Sequence, residues 1–173
     1  GASNFLYQLM QIPDNGTEVV LISLFRDPVE TKKSLFKYRM AAPKKETYPF
    51  CHGLTSVEAW LETNFSTTNF VCSSIYGKRA SELTMEDLSF AKSIISKTFV
   101  LLLSDIDNGL KMLTSVLGWK RRAIRVPKRN EGQANQFIFT AKDSELIREA
   151  NWCDLELYNY TKDRYTKLKA AVI

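Results

Sequence analysis

The residue best placed to do chemistry is Arg26, which ends the apolar run Val19-Val20-Leu21-Ile22-Ser23-Leu24-Phe25 and is followed at once by Asp27-Pro28. A run rich in β-branched residues reads as a central parallel strand buried on both faces. Asp27 reads as the cap of a helix and Pro28 as its first-turn residue. A cation at the tip of such a strand, beside free helix N–H groups, makes a pocket for an anion. Ser34, eight residues on and about two turns into the helix, adds a hydroxyl that could reach the same anion. An arginine in this position also serves as a structural ion-pair partner, so spacing alone leaves both roles open.

A second basic feature lies later in the chain. Lys120, Arg121, Arg122, Arg125, Lys128 and Arg129 form a segment interrupted by Pro127 and followed by Gly132. Such a loop suits phosphates or sulfated and acidic glycans, because guanidinium groups bind oxyanions bidentately. Aromatic residues are not interleaved with these cations, which argues against a platform for single-stranded nucleic acid. His52, the one histidine, lies beside Cys51 in a loop with no nearby carboxylate spacing to orient it as a base. Asp105, Asp107 and Asn108 suggest a cation site but lack the remaining ligands of an EF-hand. Cys51, Cys72 and Cys153 have no metal spacing and permit at most one internal disulfide, with buried free thiols as the default.

Arg26-Asp27-Pro28-Val29, followed by Ser34, Phe36 and Tyr38, resembles the second nucleotide-binding motif of carbohydrate sulfotransferases, in particular the galactose 3-O- and heparan sulfate 2-O-sulfotransferase group. The resemblance implies that Arg26 and Ser34 hold the 3'-phosphate of the donor, 3'-phosphoadenosine 5'-phosphosulfate (PAPS). It also makes Lys128 and Arg129 candidate contacts from a loop that closes over the nucleotide, and it implies a glycan acceptor and the Golgi lumen. The catalytic base is not assigned. Thr31 stands where the family commonly has a second Arg, Val71 and Ser73 where it has Gln and Arg, Ser104 where it has an acid, and Gly109 where it has Ser. Asn69 and Gly77 match the ends of one family segment, and Asn151-Trp152-Cys153-Asp154-Leu155 through Tyr158 resembles the family's closing pattern. No Lys- and Gly-rich phosphate loop is present in the 173 residues, so the resemblance covers the later part of such an enzyme. The expectation is a single sulfotransferase-like domain over residues 1–173, incomplete in that a first phosphate loop is missing. The alternative is a domain that binds a partner or glycan without catalysis.

The elements that must position these residues follow from periodicity. Phe5–Ile12 reads as a short amphipathic helix, Asp14-Asn15-Gly16 as a turn, and 41–53 as a loop. Thr55 and Glu58 suggest a capping box for a helix with Val57, Trp60 and Leu61 inward. Residues 69–77 read as less regular. Thr84 caps a helix whose inward face is Leu88, Ala91, Ile94 and Ile95, leading to a second strand, Phe99–Leu103. Leu110, Leu113, Leu117 and Trp119 are expected as the buried face of the next helix. A helix over 143–151 and a last one opening at Asn151 complete the chain, with Leu155, Tyr158 and Tyr165 packing it on the sheet. The alternation of helix and strand gives an α/β class, a parallel sheet flanked by helices, expected as part of a P-loop-type sulfotransferase fold.

Composition sets the outer bounds. The chain is 45% apolar and 25% charged, with a formal charge of +5 and a pI near 9.1. That balance suits a globular chain with anionic partners. No run approaches the roughly 18 apolar residues of a membrane span. A sheet lacking its first strands exposes apolar surface, so self-association, as a homo-oligomer, is expected.

Overall fold

The computed structural model describes residues 20–41, 56–63, 67–119 and 137–172. Within them the chain is mixed α/β, mostly helical, with a two-stranded parallel sheet. Strand β1, Ile22–Phe25, pairs in parallel with β2, Phe99–Leu102, in the register Ile22 with Phe99 through Phe25 with Leu102. The Phe99 N–H also donates to the Leu21 carbonyl at 2.7 Å, extending the ladder by one bond.

β1 is not the doubly buried central strand that its composition suggests. Among the described residues its ladder partner is β2, and Ile22 and Leu24 are 47% and 56% exposed while Phe25 is buried. Period-2 geometry sends alternate side chains to opposite faces, and among the described residues helices cover the face that takes Phe25 and not the other. Val100, Leu101 and Leu102 of β2 are all buried, so the inner strand of the pair is the second one.

The helix after β1, α1 (Pro28–Ala41), starts as the sequence predicts. Asp27 Oδ1 accepts from the Val29 and Glu30 N–H groups at 2.8 and 3.1 Å, and Pro28 occupies the first helical position. Helix α2 (Val57–Leu61) is capped by Ser56, whose hydroxyl accepts from the Ala59 N–H at 3.2 Å. That cap lies one residue later than the expected Thr55. Residues 70–76, read as irregular, form a helix, α3 (Phe70–Tyr76). α4 (Met85–Ile95) has the predicted Thr84 cap, closed reciprocally by Asp87, and buries Leu88, Ala91, Ile94 and Ile95. The later helices are α5 (Ile106–Val116), α6 (Ala141–Ala150) and α7 (Trp152–Val172).

Two apolar clusters hold these elements. One joins Phe25, Cys72, Leu88, Val100, Met112, Leu157 and Tyr165 between the sheet and α3, α4, α5 and α7. The other lies among α1, α2 and α6, where Phe36 is fully buried and meets Trp60, Phe137 and Phe139 edge-on at 5.4, 4.8 and 5.7 Å. T-shaped pairs of this kind add about 0.5–1.5 kcal/mol each beyond area burial. Phe36 is therefore core, and the resembled motif is partly a packing motif.

The buried face of α5 is shifted from the expected one. It is Gly109, Met112, Leu113 and Thr114, while Leu110 and Leu117 are half-buried and Trp119 is 59% exposed. Because the helix opens at Ile106 rather than after Gly109, its inward stripe includes the glycine. A Cβ at Gly109 would lie 2.8 Å from Leu101 Cδ2, inside van der Waals contact. Gly109→Ala is expected to lose about 1–3 kcal/mol through forced repacking against β2 and to regain about 1 kcal/mol in helix propensity, a small net destabilisation. Urea unfolding of the variant checks this, and a net gain of about 1 kcal/mol would contradict the close approach.

In α7 the inward residues include Leu157, Tyr158 and Tyr165, with Leu155 only half-buried. Tyr165 donates to Asp105 Oδ2 at 2.9 Å and Lys169 reaches the same oxygen at 2.6 Å, while Asn108 Nδ2 donates to the other carboxylate oxygen at 2.7 Å. Asp105 thus ties the end of β2 to the last helix. Lys169 foremost, with Tyr165 and Asn108, holds its carboxyl below the usual range. The expected helix over 5–12, the turn at 14–16, His52 and Cys51, and the basic loop with Lys128 and Arg129 lie outside the described residues.

Candidate functional site

The carboxyl ends of the two parallel strands bring together Arg26 and Asp27, which follow β1, and Ser104, which follows β2. Open α/β sheets collect ligands on this edge. Arg26 and Ser104 are exposed. Tyr158, buried on α7, lies near the Asp27 carboxylate. Burial first, then the Asp27 carboxylate, raises the Tyr158 pKa. The sequence marks Tyr158 as core, which it is. Only the pairing of strand ends shows that it also lies near this edge.

The anion pocket expected from free helix N–H groups needs correction. Pro28 has no N–H, and the Val29 and Glu30 N–H groups are already bonded to Asp27 Oδ1. The Thr31 N–H is bonded to the Asp27 carbonyl at 2.9 Å. An anion on this edge therefore has to be met by side chains. Glu30 and Ser34 stand about one helical turn apart and are exposed, and Arg26, which precedes the helix, is exposed as well. Glu30 lies between Arg26 and Ser34 in the chain and is held by Lys33 at 3.3 Å. Neither Arg26 nor Ser34 fills the interior.

A concave region lies elsewhere. An open cavity of about 750 Å³ is lined by the hydroxyl residues Thr67, Thr68, Ser73 and Ser81 and by Lys78 and Arg79, and it includes neither Arg26 nor Ser34. Ser73 Oγ is buried there without a hydrogen-bond partner. Lys78 is bonded to Asp87 at 2.7 Å, and that bond is the main reason the Asp87 carboxyl titrates below its ordinary range. Arg79 is exposed on the same wall.

The wall of this cavity is set by strained backbone. Thr67 and Asn69 have φ of 46° and 47°, a region a β-branched residue such as Thr enters only under constraint. Lys32, inward on α1 and 3% exposed, donates to the Thr67 carbonyl. Asn69 is held more firmly. Its N–H donates to Asn151 Oδ1 at 3.0 Å, its Nδ2 to the Ala150 carbonyl at 3.2 Å, and its Oδ1 accepts from the Cys153 and Asp154 N–H groups. Asp154 answers by accepting the Val71 and Cys72 N–H groups at 3.0 and 2.8 Å. The first turns of α3 and α7 therefore cap one another. The two segments that match the resembled family at Asn69 and at Asn151 and Asp154 are this reciprocal cap.

Desolvation lowers the Lys32 pKa from 10.5 to about 8, with the Asp154 charge opposing the shift and Arg39 adding to it. Below pH 8 the lysine is charged in both folded and unfolded chains, and burial penalises that form in full. Between pH 8 and 10.5 the folded state has released the proton and the unfolded state still holds it, so this contribution to stability improves with pH. Lys32→Met is thus expected to gain on the wild type most below pH 8. That relative gain should shrink by roughly 2–3 kcal/mol by pH 10.5. Taking the difference cancels the thiols and tyrosines that also titrate there. Paired denaturant curves at pH 7 and pH 10.5 measure it, and a pH-independent difference would contradict the shift.

Comparison of the chain with protein-family models, with curated proteins and with solved structures finds no match. The class that the fold defines is a mixed α/β chain with a parallel strand pair whose carboxyl edge carries an exposed arginine. Among the described residues no cluster of three or more His, Cys, Asp or Glu side chains is arranged to hold a metal ion. No described helix is long and apolar enough to cross a membrane.

Proposed function

We propose that the chain is a sulfotransferase-like domain that takes the 3'-phosphate of PAPS between Arg26 and Ser34 and serves transfer of sulfate to a carbohydrate hydroxyl. The observation that carries this reading is Arg26, exposed and directly following a strand of a parallel pair, with an exposed Ser34 on the helix that Asp27 starts. A guanidinium and a hydroxyl supply charge-assisted and neutral hydrogen bonds to a phosphate that Asp27 keeps off the backbone N–H groups. Lys128 and Arg129 are the further nucleotide contacts in this reading. Transfer itself depends on positioning and on stabilising charge on the equatorial oxygens. The hydroxyl-lined cavity beside Arg79 offers the chemistry a polyhydroxylated acceptor needs.

Binding without catalysis is favoured by one specific feature. Gly109 stands where the resembled enzymes carry Ser, and Leu101 fills the space a side chain there would need. Calorimetric titration with 3'-phosphoadenosine 5'-phosphate (PAP) tests both forms of the reading. Saturable binding is expected, and absence of binding would remove the nucleotide. Sulfate transfer from labelled PAPS to a panel of glycans separates the two, since turnover excludes the binding-only form.

A further inference from the structure

The reciprocal cap also brings together two sulfur atoms. The Cys72 N–H is bonded to Asp154, the residue after Cys153, and the Cys153 N–H is bonded to Asn69, three residues before Cys72. Both cysteines are fully buried in the same apolar cluster, both are free thiols, and each is near enough to act on the other's titration. Of the three pairings that three cysteines allow, one joins the two that the reciprocal cap sets side by side. We propose that Cys72 and Cys153 close into a disulfide that cross-links the first turns of α3 and α7.

The oxidant is a small-molecule disulfide such as oxidised glutathione. One cysteine thiolate attacks it, forming a mixed disulfide and expelling one thiolate. The second cysteine, deprotonated in turn, attacks the protein-side sulfur and expels the other. The two protons lost by the protein pass to the expelled thiolates, so one protein dithiol is oxidised while one small disulfide is reduced to two thiols. Burial hides both sulfurs and pushes both thiols up in pKa. Exchange therefore runs during folding or from a locally opened state rather than on the closed molecule. The bridge closes a loop of roughly 80 residues, long enough to restrict the unfolded chain strongly. It is independent of the nucleotide reading, because neither Arg26 nor Ser34 takes part.

The full chain, refolded from the reduced denatured state in a glutathione redox buffer, is alkylated in denaturant and mapped by mass spectrometry without reduction. The expected products are one Cys72–Cys153 linked peptide and an alkylated Cys51. The expected Tm is about 10 °C above that of the same sample after dithiothreitol. Cys51→Ser should keep the bridge and the Tm difference, whereas Cys153→Ala should lose both. Three alkylated thiols in a chain that has refolded, glutathione adducts in place of the bridge, or a bridge to Cys51 would each overturn the proposal.

Discussion

Asp154→Ala is expected to destabilise the chain by about 2–6 kcal/mol, the cost of leaving two backbone N–H groups without their acceptor. The carboxylate is 5% exposed and accepts two backbone N–H groups at the start of α3. A methyl in its place leaves the Val71 and Cys72 N–H groups without that acceptor, and each buried unsatisfied group costs about 1–3 kcal/mol. It also removes the negative charge that opposes desolvation of Lys32. Asp154→Asn keeps one acceptor oxygen, so about half of the loss is expected. Urea unfolding followed by circular dichroism measures both variants. A loss under about 1 kcal/mol for Asp154→Ala would mean that the two helix starts do not depend on each other.

Arg26→Ala is expected to weaken PAP binding about 10- to 100-fold while leaving stability within about 0.5 kcal/mol of wild type. Hydrogen bonds to charged groups contribute about 1.5–3 kcal/mol, which is that range of affinity. Arg26 is exposed, and substitutions at such positions seldom move stability further. Ser34→Ala, which removes a neutral hydroxyl, should weaken binding by a smaller factor. A large loss of stability in Arg26→Ala would instead identify the arginine as a structural ion-pair partner.

Much of the framework is legible in the sequence because local rules decide it. Asp27-Pro28 and Thr84 with Asp87 set helix starts through bonds within one turn, and the apolar run Phe99–Leu102 forms a strand buried as its composition implies. What fails is what depends on distant neighbours. β1, with three apolar residues in four, is nearly as apolar as β2, yet Ile22 and Leu24 are exposed, because burial is set by what packs on each face rather than by the strand itself. Helix α3 has weak local signals, with β-branched and serine residues and a left-handed Asn69 at its start. Its stability comes from Asp154, more than eighty positions away in the chain. The phase of α5 was missed because its stripe includes Gly109, which carries no apolar signal although Leu101 packs directly on it.

The candidate site divides in the same way. Arg26 and Ser34 stand out by residue type and spacing, and both prove exposed. Their helix N–H partners do not survive, since the aspartate that makes the helix start legible also occupies those groups. Tyr158 carries no sequence signal for this edge, because only the side-by-side pairing of β1 and β2 brings α7 beneath it. The cavity beside Thr67 is equally silent, being shaped by a buried lysine and two left-handed residues.

The most direct measurement compares PAP with adenosine 5'-phosphate, which lacks the 3'-phosphate, on wild type and Arg26→Ala by calorimetry. If Arg26 grips that phosphate, the two losses are strongly non-additive. Removing the phosphate weakens binding to the wild type, and Arg26→Ala then barely distinguishes the two nucleotides. Equal discrimination by wild type and Arg26→Ala would show that the arginine and the 3'-phosphate never meet, and the assignment of this strand edge to the sulfate donor would fall.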